Sequence, residues 1–189
     1  MSTTSLFIEI LIVGSIADIW LGLFLLTFFP IDLANLSFVV NTLVKFSTFL
    51  AIPFLAITYI LGGLILFVSE QILNPFFQTR FKHKFFSNAK LRYGDVRATF
   101  YQKASEQVIE DLKFDRQIIR ISRTSVLNFL LLTIGLIPHL KVYPDVAMYG
   151  IITSLLFMVF SFWQWKERYE LSYKKMLDTY HVLREKNRK

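Results

Sequence analysis

The stretch Leu6–Phe29, LFIEILIVGSIADIWLGLFLLTFF, decides the class of the protein. Its 24 residues, at about 1.5 Å each in an α-helix, cover a hydrocarbon core of about 30 Å. Only Glu9 and Asp18 are ionisable within it. Asp18 falls near the middle, where a carboxylate is worst solvated and costs about 2.5–3.5 kcal/mol to insert. Charged groups at that depth face a bundle interior or a wet cavity. The residues ahead of it, Met1 to Ser5, lack the basic region of a secretory leader, and the apolar run is longer than a leader's. The segment is expected to stay as a membrane anchor, and neither end of the chain carries a lipidation pattern.

The rest of the composition agrees. Apolar residues make up 54% of the chain, aromatic residues 16% and charged residues only 19%, the balance of a membrane protein rather than a water-soluble one. Cysteine is absent, which removes disulfides, thiolate nucleophiles and zinc–thiolate sites.

A second apolar run, Phe46–Val68, is also long enough to span and carries Pro53 and the pair Gly62-Gly63. The glycines permit close approach by a neighbouring helix, and the proline is expected to bend its own. Between the two runs, Pro30–Lys45 reads as a short helix at the interface, with Asp32 as its cap. The third run, Val126–Leu140, is short for a span. The fourth, Val146–Trp165, has no charge at all, and the turn of residues 139–145 joins the two as a hairpin. The expectation is an all-α polytopic membrane protein with four transmembrane helices and cytoplasmic helical extensions. Its segments are a first hairpin over 1–68, an interfacial and helical segment over 69–121, a second hairpin over 122–166 and a C-terminal helix over 167–189.

Charge fixes the expected orientation. Of the 21 Lys and Arg, 19 fall in 69–123 and 166–189, leaving only Lys45 and Lys141 in the short loops. The positive-inside rule places both termini and the central interval in the cytoplasm, in a plasma membrane or bacterial inner membrane.

Within the central interval, Phe76, Phe77, Phe81, Phe85 and Phe86 alternate with Arg80, Lys82, Lys84 and Lys90. That pattern suits a helix lying on anionic lipid headgroups. A single-stranded nucleic acid would meet a similar pattern, but the segment follows directly on a span, so lipid is the expected partner and nucleic acid is not. Gly94 and Asp95 are expected to open a helix that runs from Val96 into the third span, its apolar stripe interrupted at Asp115. Arg116, Arg120 and Arg123, near the membrane end of that helix, are expected to snorkel to headgroups. In the tail, Tyr169, Tyr173, Met176, Tyr180 and Leu183 are spaced 4, 3, 4, 3, the a/d seam of two heptads. This seam is expected to meet the helix of 95–121 or a neighbouring subunit, in a bundle continuous with the spans.

No catalytic pattern is present. His83, His139 and His181 fall in three separate regions, so no metal site or cofactor is expected. Phosphate-cradling loops, a zinc-protease helix and a nucleophile elbow are all missing, and an enzyme is not expected. Asp18 is the leading functional residue, with Gly14 and Gly22 four residues to either side of it. Matched for depth it faces Phe54, Leu131 and Phe157, none of them cationic. Three readings stay open: a protonated carboxyl donating a hydrogen bond, a carboxylate ring in an oligomeric pore, or a charge partnered by another molecule. Glu9 matches the depth of Arg123 and Lys166, an ion pair at headgroup level. Trp163 and Trp165 read as anchors at the cytoplasmic interface and Tyr143 and Tyr149 at the outer one, while Trp20 reads as packed between helices. The function expected first is a homo-oligomeric, cation-preferring channel with a helical assembly or gating region. The alternative is a non-conducting scaffold or accessory subunit that docks a cytoplasmic protein partner through its basic helices.

Overall fold

A computed structural model describes residues 3–28, 47–87 and 92–186, and among these the protein is all α, with no strand. Helix α1 spans Thr3–Phe28 and α2 spans Ser47–Lys82, ending in a π-helical turn at His83–Ser87. Helix α3 covers Tyr93–Lys103 and α4 Glu106–Leu136; a 3-10 turn at Pro138–Lys141 leads to α5, Pro144–Lys186. Four of these, α1, α2, α4 and α5, contain stretches long and apolar enough to cross a membrane. Helices suit that medium because every backbone donor and acceptor is satisfied within the segment. The interfacial helix expected over 30–45, with Asp32 and Lys45, lies outside the described residues, as does Lys90.

The chain divides into two compact units, Met1–Val68 with Thr124–Phe160, and Ser69–Arg123 with Ser161–Lys189. In the first unit, residue pairing fixes the helix order α2–α1–α4–α5. Ile10 meets Gly62 and Gly14 meets Thr58, so α1 and α2 run antiparallel. Trp20 and Phe24 meet Gly135 while Val13 meets Asn128, so α1 and α4 run parallel. Phe129 stacks on Phe157, their ring centroids 5.3 Å apart, and Gly150 meets Leu136, so α4 and α5 are antiparallel.

The second unit has a true hydrophobic core. Phe81 and Phe86 from the end of α2, Val96 and Phe100 from α3, Leu112 and Ile119 from α4, and Trp165, Tyr169, Tyr173 and Met176 from α5 form one buried cluster. Two expectations are corrected here. The single helix expected from Val96 into the third span is two helices, because Ala104 takes an extended backbone (φ −72°, ψ 153°) between α3 and α4. Ser105, a residue type favoured where helices begin, then precedes Glu106 and its carbonyl accepts the Ile109 N–H at 3.1 Å. Trp165, expected as an interfacial anchor, is only 1% exposed and lies in the core, while Trp163 is 65% exposed. The two are adjacent but one apart on a helix, about 200° around its axis, so a single core face takes only one.

Candidate functional site

Asp18 has its partner within the chain. Thr58 Oγ1 on α2 lies 2.5 Å from Asp18 Oδ2 and 2.9 Å from the Phe54 carbonyl oxygen. A hydroxyl carries one proton. With Asp18 ionised, Thr58 donates to the carboxylate; with Asp18 protonated, the carboxyl donates to Thr58 and Thr58 donates to Phe54. In both states Asp18 is hydrogen-bonded across α1 and α2.

The two small residues beside it part company. A Cβ on Gly14 would sit 1.9 Å from the Thr58 carbonyl oxygen, and one on Gly62 would sit 2.0 Å from that of Ile10. The backbones of α1 and α2 touch at these two places, the small-residue packing that membrane helices use in place of hydrophobic force. Gly22 has nothing within 4 Å of its Cβ position. Eight residues turn a helix about 80° past two full revolutions, enough to carry Gly22 off the face that Gly14 occupies.

Several other polar side chains of the first unit are hydrogen-bonded between helices as well. Asn128, fully buried, donates to the Val13 carbonyl at 2.9 Å and accepts from Trp20 Nε1 at 3.1 Å. Trp20 is thus packed between helices. Ser154 donates to the Phe129 carbonyl at 2.7 Å, joining α5 to α4. His139 Nε2 is 3.2 Å from both the Leu23 carbonyl and Thr27 Oγ1, which ties the turn before α5 to the end of α1. Glu9 is fully buried in this unit; Arg123 and Lys166 belong to the second, where Arg123 lies 3.8 Å from Glu70 and Lys166 is exposed.

In the second unit the basic stretch is used in two ways. Arg80 and Lys84 are exposed, Lys84 pairing with Glu170 at 3.2 Å, and Lys82 sits 4.8 Å over the Tyr93 ring. Two of the accompanying aromatics are in the core and not on a lipid surface as expected: Phe81 stacks on Tyr169 and Phe86 meets Tyr173 edge-on, both buried, while the side chains of Phe76 and Phe77 lie outside what is described. The seam on α5 is real packing through Tyr169, Tyr173 and Met176, with Tyr180 packed against the same cluster and Leu183 half-buried. Burial pushes the phenols of Tyr169 and Tyr173 up, so both stay neutral; Arg123 opposes this at Tyr169, and Tyr169 reinforces it at Tyr173. Tyr169 donates to Asn74 Oδ1 at 2.7 Å.

Sequence reasoning missed the buried carboxylate of Asp115. It is 3% exposed and held by Arg168 at 3.2 Å and Lys175 at 2.7 Å, seven residues apart on one face of α5. The signal was there, since a carboxylate interrupting an apolar stripe needs a cation from the facing helix.

Among the described residues, no group of His, Asp and Glu is placed to hold a metal. Comparison with family models, with curated proteins and with solved structures gives no match.

Proposed function

We propose that the protein is a non-conducting membrane scaffold whose basic helical unit lies on the cytoplasmic side and docks an acidic protein partner. The division of charge carries this reading. Ser69–Arg123 and Ser161–Lys189 hold 19 Lys and Arg against 10 Asp and Glu, a net of +9, whereas the apolar unit holds 2 against 4, a net of −2. A charge density of that sign steers acidic partners and raises their rate of encounter. The competing reading, a cation-preferring homo-oligomeric pore, asks Asp18 to line a symmetry axis with Gly14 beside it. The Thr58 hydrogen bond and the Gly14 backbone contact favour the scaffold, because they commit that face of α1 to α2 of the same chain.

The experiment has two arms. In liposomes the purified protein should pass no more potassium than empty vesicles. In binding, it should hold polyglutamate with an affinity that falls as salt rises and falls further in Arg80→Glu with Lys113→Glu, both exposed positions. A potassium flux that disappears in Asp18→Asn would establish the pore instead. For sidedness, Lys113→Cys provides a single thiol in a chain that has none, and an impermeant reagent should label it only from the inside of cells.

A further inference from the structure

The second unit has a half-open cavity of about 240 Å³. Four arginines line it, Arg97 from α3 and Arg116, Arg120 and Arg123 from α4, with Glu70 of α2 as the one carboxylate among the lining residues. The α4 residues recur at i, i+4 and i+7, which puts them on one helix face. Cationic side chains outnumber the one carboxylate around this hollow, so an anion that enters it is attracted. The arginines are also held in place. Arg116 Nη1 donates to the Tyr101 hydroxyl at 2.7 Å, and the guanidinium carbons of Arg97 and Arg116 lie 5.9 and 5.6 Å from the centre of that same ring. One aromatic side chain therefore draws two like charges together against their mutual repulsion. The side chain of Arg123 is 4% exposed, so its charge is delivered to the protein interior rather than to bulk water. Asn74 and Ser172 complete the lining with groups able to donate hydrogen bonds, and Tyr173 adds a phenol kept neutral by burial.

We propose that this cavity is a binding site for a phosphate-bearing anion, held by the guanidinium groups of Arg97, Arg116, Arg120 and Arg123. Planar guanidinium forks match phosphate oxygens two at a time, and charge-assisted bonds of this kind are stronger in a partly enclosed site. The hollow has room for a phosphate group together with part of the molecule that carries it. Two sources share this chemistry, a lipid headgroup and a soluble phosphate, and the site stands whether or not the basic unit docks a protein.

The test uses the full-length protein in nanodiscs of phosphatidylcholine and follows thermal unfolding. One arm titrates inorganic phosphate against chloride at equal ionic strength. The other compares discs doped with phosphatidic acid and discs doped with oleate, an anionic lipid without phosphate. Stabilisation by inorganic phosphate identifies a soluble source; stabilisation by phosphatidic acid alone identifies a headgroup. In either case Arg97→Gln and Arg120→Gln should weaken the apparent affinity at least about tenfold, while Lys84→Gln and Lys174→Gln, both exposed and outside the cavity lining, leave it unchanged. The unliganded melting temperature of each variant shows that it has folded, and Arg97, exposed on α3, is the safer of the two. The proposal is overturned if neither anion stabilises the protein. It is equally overturned if chloride or oleate does as well, or if the lysine variants weaken binding as much as the arginine variants.

Discussion

In the apolar unit Asp18, Asn128 and Ser154 are each met by a hydroxyl, an indole or a backbone carbonyl, whereas in the basic unit Asp115 is met by two cations. The same need, a polar group away from water, is answered by different chemistry. Arg168 and Lys175 are 37% and 48% exposed, so each keeps part of its charge in water while reaching a dry carboxylate. Within a hydrocarbon layer that arrangement is costlier, because the cation would have to give up its contact with water. Small residues and neutral hydrogen bonds take over, and close backbone contact replaces the large aromatic core.

The comparison breaks first, and hardest, at the backbone contact. Gly62→Leu puts a Cβ 2.0 Å from the Ile10 carbonyl oxygen, which no side-chain rotation relieves. Overpacking a core costs about 1–3 kcal/mol when neighbours can shift; here the neighbour is another helix's backbone, and loss of the folded, monodisperse protein in detergent is expected. Gly63→Leu is the control, with nothing within 4 Å of its Cβ position, and should elute and melt like the wild type.

The second effect falls in the basic unit. Replacing Arg168 and Lys175 together by Met leaves Asp115 buried and unmatched, at a cost of about 3 kcal/mol. Adding Asp115→Asn should restore most of that loss, since the uncompensated charge is what destabilises. A lowered melting temperature that Asp115→Asn fails to raise would mean that the two long side chains act by packing and not by charge.

What could be read from the chain follows the same division. The spans were legible because a run such as Val146–Trp165 without one charge has few folded alternatives. The seam at Tyr169, Tyr173 and Met176 was legible because heptad spacing survives any partner, and the structure supplies that partner from α2, α3 and α4. The burial of Phe81 and Phe86 was not legible, because an aromatic beside a lysine has the same pattern whether it faces lipid or a core. Thr58 was not legible as the partner of Asp18, because a hydroxyl one turn from Phe54 carries no signal of its own. The break at Ala104 was only faintly legible, since alanine itself favours helix and Ser105 after it is the one residue there of a type that starts helices. The arginine-lined cavity was half legible: the spacing of Arg116, Arg120 and Arg123 showed one face, but Arg97 and Glu70 join them only through the fold.

The smallest effects, and the sharpest comparison, lie at Asp18 and Thr58. Asp18→Asn keeps an acceptor and a donor for the Thr58 hydroxyl, so the melting temperature should stay at the wild-type value. Asp18→Leu removes the partner altogether, yet Thr58 still has the Phe54 carbonyl at 2.9 Å to receive its proton. The cost should therefore stay below about 1 kcal/mol, near the net worth of one hydrogen bond. Thr58→Val is the unequal partner in this pair. It preserves shape against Gly14 but leaves the half-buried carboxyl of Asp18 without the hydroxyl that meets it, and stranding a polar group costs about 1–3 kcal/mol. Thermal unfolding of the three variants in one detergent should rank Asp18→Asn, then Asp18→Leu, then Thr58→Val in falling stability. Asp18→Leu falling below Thr58→Val would show that Asp18 supports something beyond Thr58, and that outcome would return the carboxylate to the centre of the mechanism.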